Sequence, residues 1–173
     1  VSIPSCPSRC TYCSFVSYTS KRLLSRIPEY LEKLKRDIAD NFAIINRLGL
    51  RVRTLYIGGG TPTTLNEEQL EDLLSYIDKL FDASSLDEFT LEAGRPDTID
   101  AEKLAVAAKY GVTRMSVNPQ TLCDNVLSGV GRNHTADEFY RAYDIARKSG
   151  IKYINTDLII GLPGDTFKTF SAT

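Results

Sequence analysis

Three cysteines fall within eight residues, in Cys6-Pro7-Ser8-Arg9-Cys10-Thr11-Tyr12-Cys13, and a fourth, Cys123, stands alone 110 positions later. Thiolates are soft ligands, and the spacing C-x3-C-x2-C bends one short loop so that three of them can point at a common centre. A disulfide framework has a different form. Bridges in small secreted domains staple distant segments, whereas this chain of 173 residues is long enough to bury its own core. The cluster therefore points to a metal or redox centre. A structural zinc site would want a fourth ligand, for which Cys123 and the single histidine, His134, are the candidates. A 4Fe-4S cluster held by three cysteines would instead leave one iron open to an outside ligand. Taken alone, the motif leaves iron-sulfur, zinc and chance spacing open.

The rest of the chain is ordinary in composition, with 42% apolar and 25% charged residues, which excludes disordered, collagenous and fibrous classes. Lys and Arg number 21 against 22 Asp and Glu, so the formal charge is -1. No global field would draw the chain to nucleic acid or an anionic membrane, and a discrete ligand is the expected partner. No apolar run approaches the roughly 20 residues of a membrane span, and the first residues lack the charged-then-apolar form of a signal peptide. The expected location is cytoplasmic. The chain begins on Val1-Ser2-Ile3 without a start Met, and reads as a piece of something longer.

The elements that must position the cysteines alternate between short apolar strands and amphipathic helices, which predicts an α/β fold with parallel strands. Ser2-Ile3 is the stub of a first strand, directly ahead of the cysteines. Ile27, Tyr30, Leu31, Leu34, Ile38, Phe42, Ile45 and Leu48 recur at steps of three and four, with Pro28 suited to the first turn and Gly49 to the stop. Arg53 to Ile57 predicts a strand ending in Gly58-Gly59-Gly60, and Asn66 with Gln69 resembles a capping box for a helix burying Leu70, Leu73, Leu74, Ile77 and Leu80. Phe89 to Leu91 and Arg114 to Val117 are further strands, separated by a helix from Ala101 to Tyr110 that Gly111 closes. Thr135 with Glu138 caps a helix carrying Phe139, Ala142, Tyr143 and Ala146, and Tyr153 to Ile160 predicts a fifth strand, the most apolar of all.

Right-handed connections between parallel strands put every loop at the carboxyl ends on one face, where an α/β barrel keeps its active site. The polar and glycine-rich features converge there: the cysteine loop, the triple glycine and Asn118-Pro119-Gln120 follow strands one, two and four, Glu92 ends strand three, and Asp157 lies in strand five ahead of Gly161-Leu162-Pro163-Gly164.

In this context the cysteine motif resembles that of the radical S-adenosylmethionine (SAM) enzymes. Tyr12, before the third cysteine, fits that family's loop, and Gly58-Gly59-Gly60-Thr61-Pro62 looks like its glycine motif. Within the family, Ile3-Pro4, Cys6 to Cys10, Tyr56 to Thr63 and Asp157 to Gly164 resemble the oxygen-independent coproporphyrinogen III oxidase group, with Glu92 to Pro96 and Ser116 to Thr121 most like its dehydrogenase-like branch. The match runs from end to end.

The resemblance implies a partial (β/α)6 TIM-like barrel of the radical SAM type, truncated after about five strands, so that residues 1–173 form an incomplete radical SAM core domain without its last strand and carboxyl-terminal substrate region. It implies a 4Fe-4S cluster on Cys6, Cys10 and Cys13, with S-adenosylmethionine chelating the fourth iron. Gly59, Gly60 and Thr61 match positions that meet the methionine moiety. Glu92, Gln120 and Arg132 match contacts to the amino acid and ribose portions, Asp157 and Ile159 match contacts to ribose and adenine, and Tyr12 would offer backbone contacts to adenine. The implied reaction is reductive cleavage of S-adenosylmethionine for oxidative decarboxylation of coproporphyrinogen III propionates to vinyls, in porphyrin and haem biosynthesis. A flavodoxin or ferredoxin would supply the electron.

One position departs from the oxidase pattern. Oxidases carry a fourth cysteine two positions after the third, where this chain has Phe15. The ending Cys13-Ser14-Phe15 is shared with the dehydrogenase-like branch and resembles the haem chaperone branch, so a haem-binding protein without oxidase activity is the alternative. Each residue also has a plainer reading. The triple glycine could be a simple turn, and no Gly-Lys-Ser/Thr follows to make a Walker loop. Asp157 could be a buried polar residue, Glu92 and Arg132 an ion pair, and Gln120 a loop hydrogen bond. His134 and Cys123, the latter on an expected helix, read as structural. Lys21, Arg22 and Arg26 read as a solvated face that could also meet tetrapyrrole propionates.

Overall fold

The computed structural model describes residues Val1–Thr173. In chain order its main elements are β1 (Ser2–Ile3), α1 (Lys21–Leu24), α2 (Ile27–Arg47), β2 (Thr54–Gly59), α3 (Glu67–Phe81), β3 (Glu88–Glu92), α4 (Ala101–Lys109), β4 (Arg114–Ser116), α5 (Asp124–Gly129), α6 (Ala136–Lys148), β5 (Tyr153–Asn155) and α7 (Phe167–Ala172). The five strands form one sheet in the order β1-β2-β3-β4-β5, and each neighbouring pair is parallel. All strands therefore end on the same side. Their loops gather there, as the sequence pattern predicts.

The helices form where capping chemistry and apolar spacing agree. Asn66 Oδ1 accepts from Gln69 N–H at 2.9 Å and Gln69 Oε1 from Asn66 N–H at 3.1 Å, which satisfies free donors at the start of α3 reciprocally. Thr135 and Glu138 do the same for α6. Leu70, Leu73, Leu74 and Ile77 on α3 are wholly buried, each worth about 1.5–3 kcal/mol against exposure. They pack with Ile57, Phe89, Leu91 and Met115 of the strands in one core of 24 residues. On α2 the buried residues are Leu31 and Ile38, while Leu48, expected on the same face, caps the helix and is exposed.

The strand register divides the sheet by side-chain parity. Gly58, Glu92, Ser116 and Asn155 lie on the face away from the helices, as do Tyr56, Thr90, Arg114 and Tyr153 one step earlier. This inner face is polar. Its carboxyl end holds the candidate site.

The fifth strand is shorter than its composition predicts. Pairing stops at Asn155, with one further bridge between Gln120 and Leu158. Asp157 accordingly sits just past the strand, where it is exposed, and Leu158 and Ile160 are exposed beside it. The partner strand β4 ends at Ser116, opposite Asn155, so the ladder has no neighbouring strand on which to continue. Cys123 is the N-cap of α5 and not inside a helix.

Candidate functional site

The cysteine loop is a closed lobe on the end of β1. Tyr18 N–H donates to Pro4 O at 2.7 Å and Cys6 N–H to Tyr18 O at 3.1 Å, so the segment leaves and returns at one point. Gly60 N–H donates to Ile3 O at 2.8 Å and Thr61 N–H to Ser5 O at 2.7 Å, which fastens the near side to the glycine run. On the far side, Ser8 Oγ donates to Gly131 O at 2.7 Å and Thr11 N–H to Val130 O at 3.0 Å. Arg95, from the loop after β3, enters the lobe and donates to Ser8 Oγ, Ser8 O and Cys10 Sγ at 3.0, 2.7 and 3.1 Å. Loops from across the sheet thus hold the three thiols in place.

Cys6 and Cys10 are buried and Cys13 is half-buried at the rim, where its N–H donates to Cys10 O at 3.2 Å in a tight turn. All four cysteines are free thiols. Cys6 Sγ lies 3.3 Å from Thr61 Oγ1. Burial pushes the Cys6 thiol up, while the Thr61 hydrogen bond and then Arg95 draw it down; Cys13 and Cys10 act on it as like charges.

Glycine is required beside them on steric grounds. A Cβ on Gly60 would lie 2.6 Å from Ser5 O and 3.0 Å from Cys6 Sγ, and Gly59 has φ +112°, with Ser2 Oγ 2.5 Å from where its Cβ would be. No three His, Cys, Asp or Glu side chains converge as a single metal ion would need. A cubane cluster spreads its thiolates over separate irons and makes no such demand. The lobe fits that donor set.

Across the mouth, Arg132 is the main connector. Its guanidinium is buried and donates to Gly94 O at 2.6 Å, Asn118 O at 2.8 Å, Tyr12 OH at 3.2 Å and His134 Nδ1 at 3.4 Å. Asn118 Nδ2 donates to Asp157 Oδ2 at 2.9 Å and its Oδ1 accepts from Asp157 N–H at 3.1 Å, while Asn155 Nδ2 donates to Asp157 Oδ1 at 2.8 Å. Gln120 N–H donates to Asp157 O at 3.1 Å, and Ile159 N–H to Gln120 O at 2.9 Å. Ile159 and Tyr12 pack against Val126, Val130 and Leu162 in a small second apolar cluster. Tyr12, Gln120, Arg132, Asp157 and Ile159 are thereby linked into one rim at the carboxyl ends of the strands.

Glu92 completes the inner wall. A Cβ on Gly58 would fall 2.5 Å from Glu92 Oε2 and into the Tyr56 ring, so carboxylate and phenol close over that glycine. Burial raises the Glu92 carboxyl above the usual range, with the Gly59 amide and Tyr56 hydroxyl pulling the other way. Tyr56 is pushed up to about 12 by burial, then by Glu92. Gln120 is a non-glycine residue at φ +65°, and its buried Oε1 has no hydrogen-bond partner. Left unpaired, such an acceptor costs about 1–3 kcal/mol. A ligand N–H or O–H at the mouth would satisfy it.

Several plainer readings resolve in the same geometry. No ion pair joins Glu92 to Arg132; the pairs of the chain lie elsewhere. His134 is buried beside Arg132, and burial followed by Arg132 and Arg95 lowers it to about 4. Lys21 and Arg22 are exposed on α1, and Arg26 pairs with Glu29 at 2.9 Å on the rim of a separate cleft of about 300 Å³ lined by Ile3, Tyr18, Leu24 and Tyr30. Sequence reasoning assigned no role to Arg95, Asn118 or Tyr56. Parity places Tyr56 two residues ahead of Gly58 on the inner face, which was a usable signal; nothing local marks the partner of Arg95.

Comparison with known proteins gives a consistent result. The sequence pattern of the radical SAM superfamily matches residues 1–173. The chain is 40% identical over 171 residues to the oxygen-independent coproporphyrinogen-III oxidase-like protein HemZ of Bacillus subtilis, covering 98% of this chain and 34% of that protein. It is 38% identical to the heme chaperone HemW of the same organism, covering 97% of this chain and 43% of the relative. Among solved structures, coproporphyrinogen III oxidase HemN from Escherichia coli, a radical SAM enzyme, superposes with a TM-score of 0.87 at 28% identity over 99% of this chain and 39% of that one. The chain spans well under half the length of these proteins. The shared architecture is a partial TIM-like barrel.

Proposed function

The chain belongs to the radical SAM superfamily, whose members work with a 4Fe-4S cluster and S-adenosylmethionine, and from that premise we propose that it is the cofactor-binding core of a tetrapyrrole-directed oxidoreductase. Cys6, Cys10 and Cys13 would hold the cluster. The observation that carries this is the three-thiol lobe pressed against glycines too crowded for any Cβ. When bound, the cofactor pair supplies reductive carbon-sulfur cleavage and hydrogen abstraction from a substrate. The chain's own residues bind and orient. Gly59, Gly60 and Thr61 admit the methionine end, Glu92 receives its ammonium group, and the free Gln120 Oε1 and Asp157 receive ribose hydroxyls. Arg132 spends four of its N–H bonds on Gly94, Asn118, Tyr12 and His134, so it acts chiefly by fixing the rim.

For the substrate, likeness to the oxidase-like relative and to the oxidase structure supports decarboxylation of coproporphyrinogen III propionates. A second reading, a haem chaperone of the same family, is supported by Phe15 and by the heme chaperone relatives. Anaerobic reconstitution of the full-length protein with iron and sulfide, then coproporphyrinogen III with S-adenosylmethionine and reductant, separates them. Vinyl product supports the oxidase; haem binding without it supports the chaperone. Cys10→Ala should abolish the absorption near roughly 400 nm expected of iron-sulfur ligation. Persistent absorption with zinc retained would remove the cluster assignment.

A further inference from the structure

Arg95 is a buried cation without a carboxylate. It is 4% exposed and belongs to none of the chain's ion pairs. Burying a guanidinium costs several kcal/mol unless an anion and hydrogen-bond acceptors offset it. Of the acceptors Arg95 meets, Ser8 Oγ and Ser8 O are neutral, and Cys10 Sγ is the one that becomes anionic, as a thiolate ligand. The two Ser8 contacts fix the guanidinium plane, so the N–H that points at sulfur is already aimed before any ligand arrives.

Hydrogen bonds and positive charge at cluster thiolates favour the more negative, reduced state. We propose that Arg95 is a positioning residue that, through its hydrogen bond to Cys10 Sγ, eases one-electron reduction of the cluster; this rests on the cluster reading above. The electron comes from an external low-potential carrier of the flavin or iron-sulfur class. It adds one negative charge to the thiolate-bound cluster, and no bond is made or broken at Arg95. A lysine would keep the charge but could not span the three acceptors.

The test is a potentiometric titration of the anaerobically reconstituted full-length protein, followed by visible absorption and electron paramagnetic resonance. Iron, sulfide and circular dichroism are measured in parallel. Arg95→Gln should shift the reduction equilibrium toward the oxidised form about tenfold, which is about 59 mV for one electron. Arg95→Lys should shift it less. Ser8→Ala, which removes one anchor of the guanidinium together with the Ser8 Oγ bond to Gly131 O and leaves charge and thiols intact, should move it in the same direction by a smaller amount, with Arg95→Lys separating the guanidinium's part from the loss of that fastening. Equal midpoints in wild type and the Arg95 variants at equal cluster content would overturn the proposal and leave the cluster reading intact. If the Arg95 variants do not fold or load, Ser8→Ala decides: an unchanged midpoint there assigns Arg95 to the scaffold alone. Failure of the wild type to take up a cluster would refute the underlying reading instead.

Discussion

The two faces of the sheet are made by the same strands and have opposite chemistry. Toward the helices, Leu55, Ile57, Phe89, Leu91 and Met115 are all buried in one apolar core. On the inner face the polar groups are well paired at the amino end, where Arg114 Nε donates to Glu88 Oε2 at 2.8 Å, Thr90 Oγ1 donates to Glu88 Oε1 at 2.9 Å, and the Arg114 guanidinium lies over the Tyr153 ring at 5.0 Å. Toward the carboxyl end the partners run out. Ser116 Oγ, Gln120 Oε1 and His134 Nε2 are buried without one. Native interiors rarely tolerate such groups, and Asp165 Oδ2, ahead of α7, is the fourth of them; under the proposed function the first three are groups that a ligand could satisfy. One face stabilises the fold, and the other keeps binding capacity in reserve.

The strongest way to break this division is Phe89→Ala. Phe89 is fully buried on the covered face, and its truncation should cost about 3–5 kcal/mol in urea unfolding. A loss below about 1 kcal/mol would mean that the covered face does not carry the fold. His134 sharpens the boundary, because it sits at the mouth yet should affect stability. Its lowered value of about 4, against an ordinary 6.5, means that the folded state favours the neutral ring. That stability is complete above pH 6.5 and is lost as pH falls toward 4, by about 3 kcal/mol. Urea midpoints measured across that window should fall, and His134→Gln should flatten the dependence. On the covered side, Asn66→Ala removes a capping box and should cost about 1 kcal/mol while leaving cluster uptake unchanged.

Glu92→Gln should have the smallest effect on stability and a clear one on ligand binding. Burial raises its carboxyl, so the stability it contributes is present at low pH and disappears as pH rises through that raised value. At neutral pH the uncharged variant should be at least as stable as the wild type. S-adenosylmethionine affinity, measured by calorimetry on the reconstituted protein, should nonetheless fall about tenfold or more, as for loss of a hydrogen bond to a charged group. A destabilised Glu92→Gln with unaltered affinity would make Glu92 part of the scaffold.

Much of the fold was legible because its signals are local. Asn66 with Gln69 and Thr135 with Glu138 form the capping boxes their spacing predicts. The fifth strand was misjudged because apolar composition reports a preference for burial and says nothing about whether a neighbour is present. Tyr153 to Ile160 therefore reads as a long strand, yet pairs as three residues because β4 beside it is only three residues long. Arg132 shows the same limit at the site. Its sequence neighbours do not reveal that its N–H groups go to carbonyls at Gly94 and Asn118, 38 and 14 residues away.

From the order of residues alone came the three-cysteine motif, the glycine run, the alternation of strands and helices, and thus the single face on which the loops meet. These depend on spacing and periodicity, which are written along the chain. The tertiary structure decided which polar groups are satisfied and which are left open: Arg95 on Cys10 across 85 residues, Asn118 on Asp157 across 39, and Gln120 with its carbonyl oxygen unpartnered. Pairing of buried charges and acceptors depends on distances between loops that come together only when the sheet forms. That is why the three-cysteine motif could be read along the chain and the hydrogen bond from Arg95 to it could not.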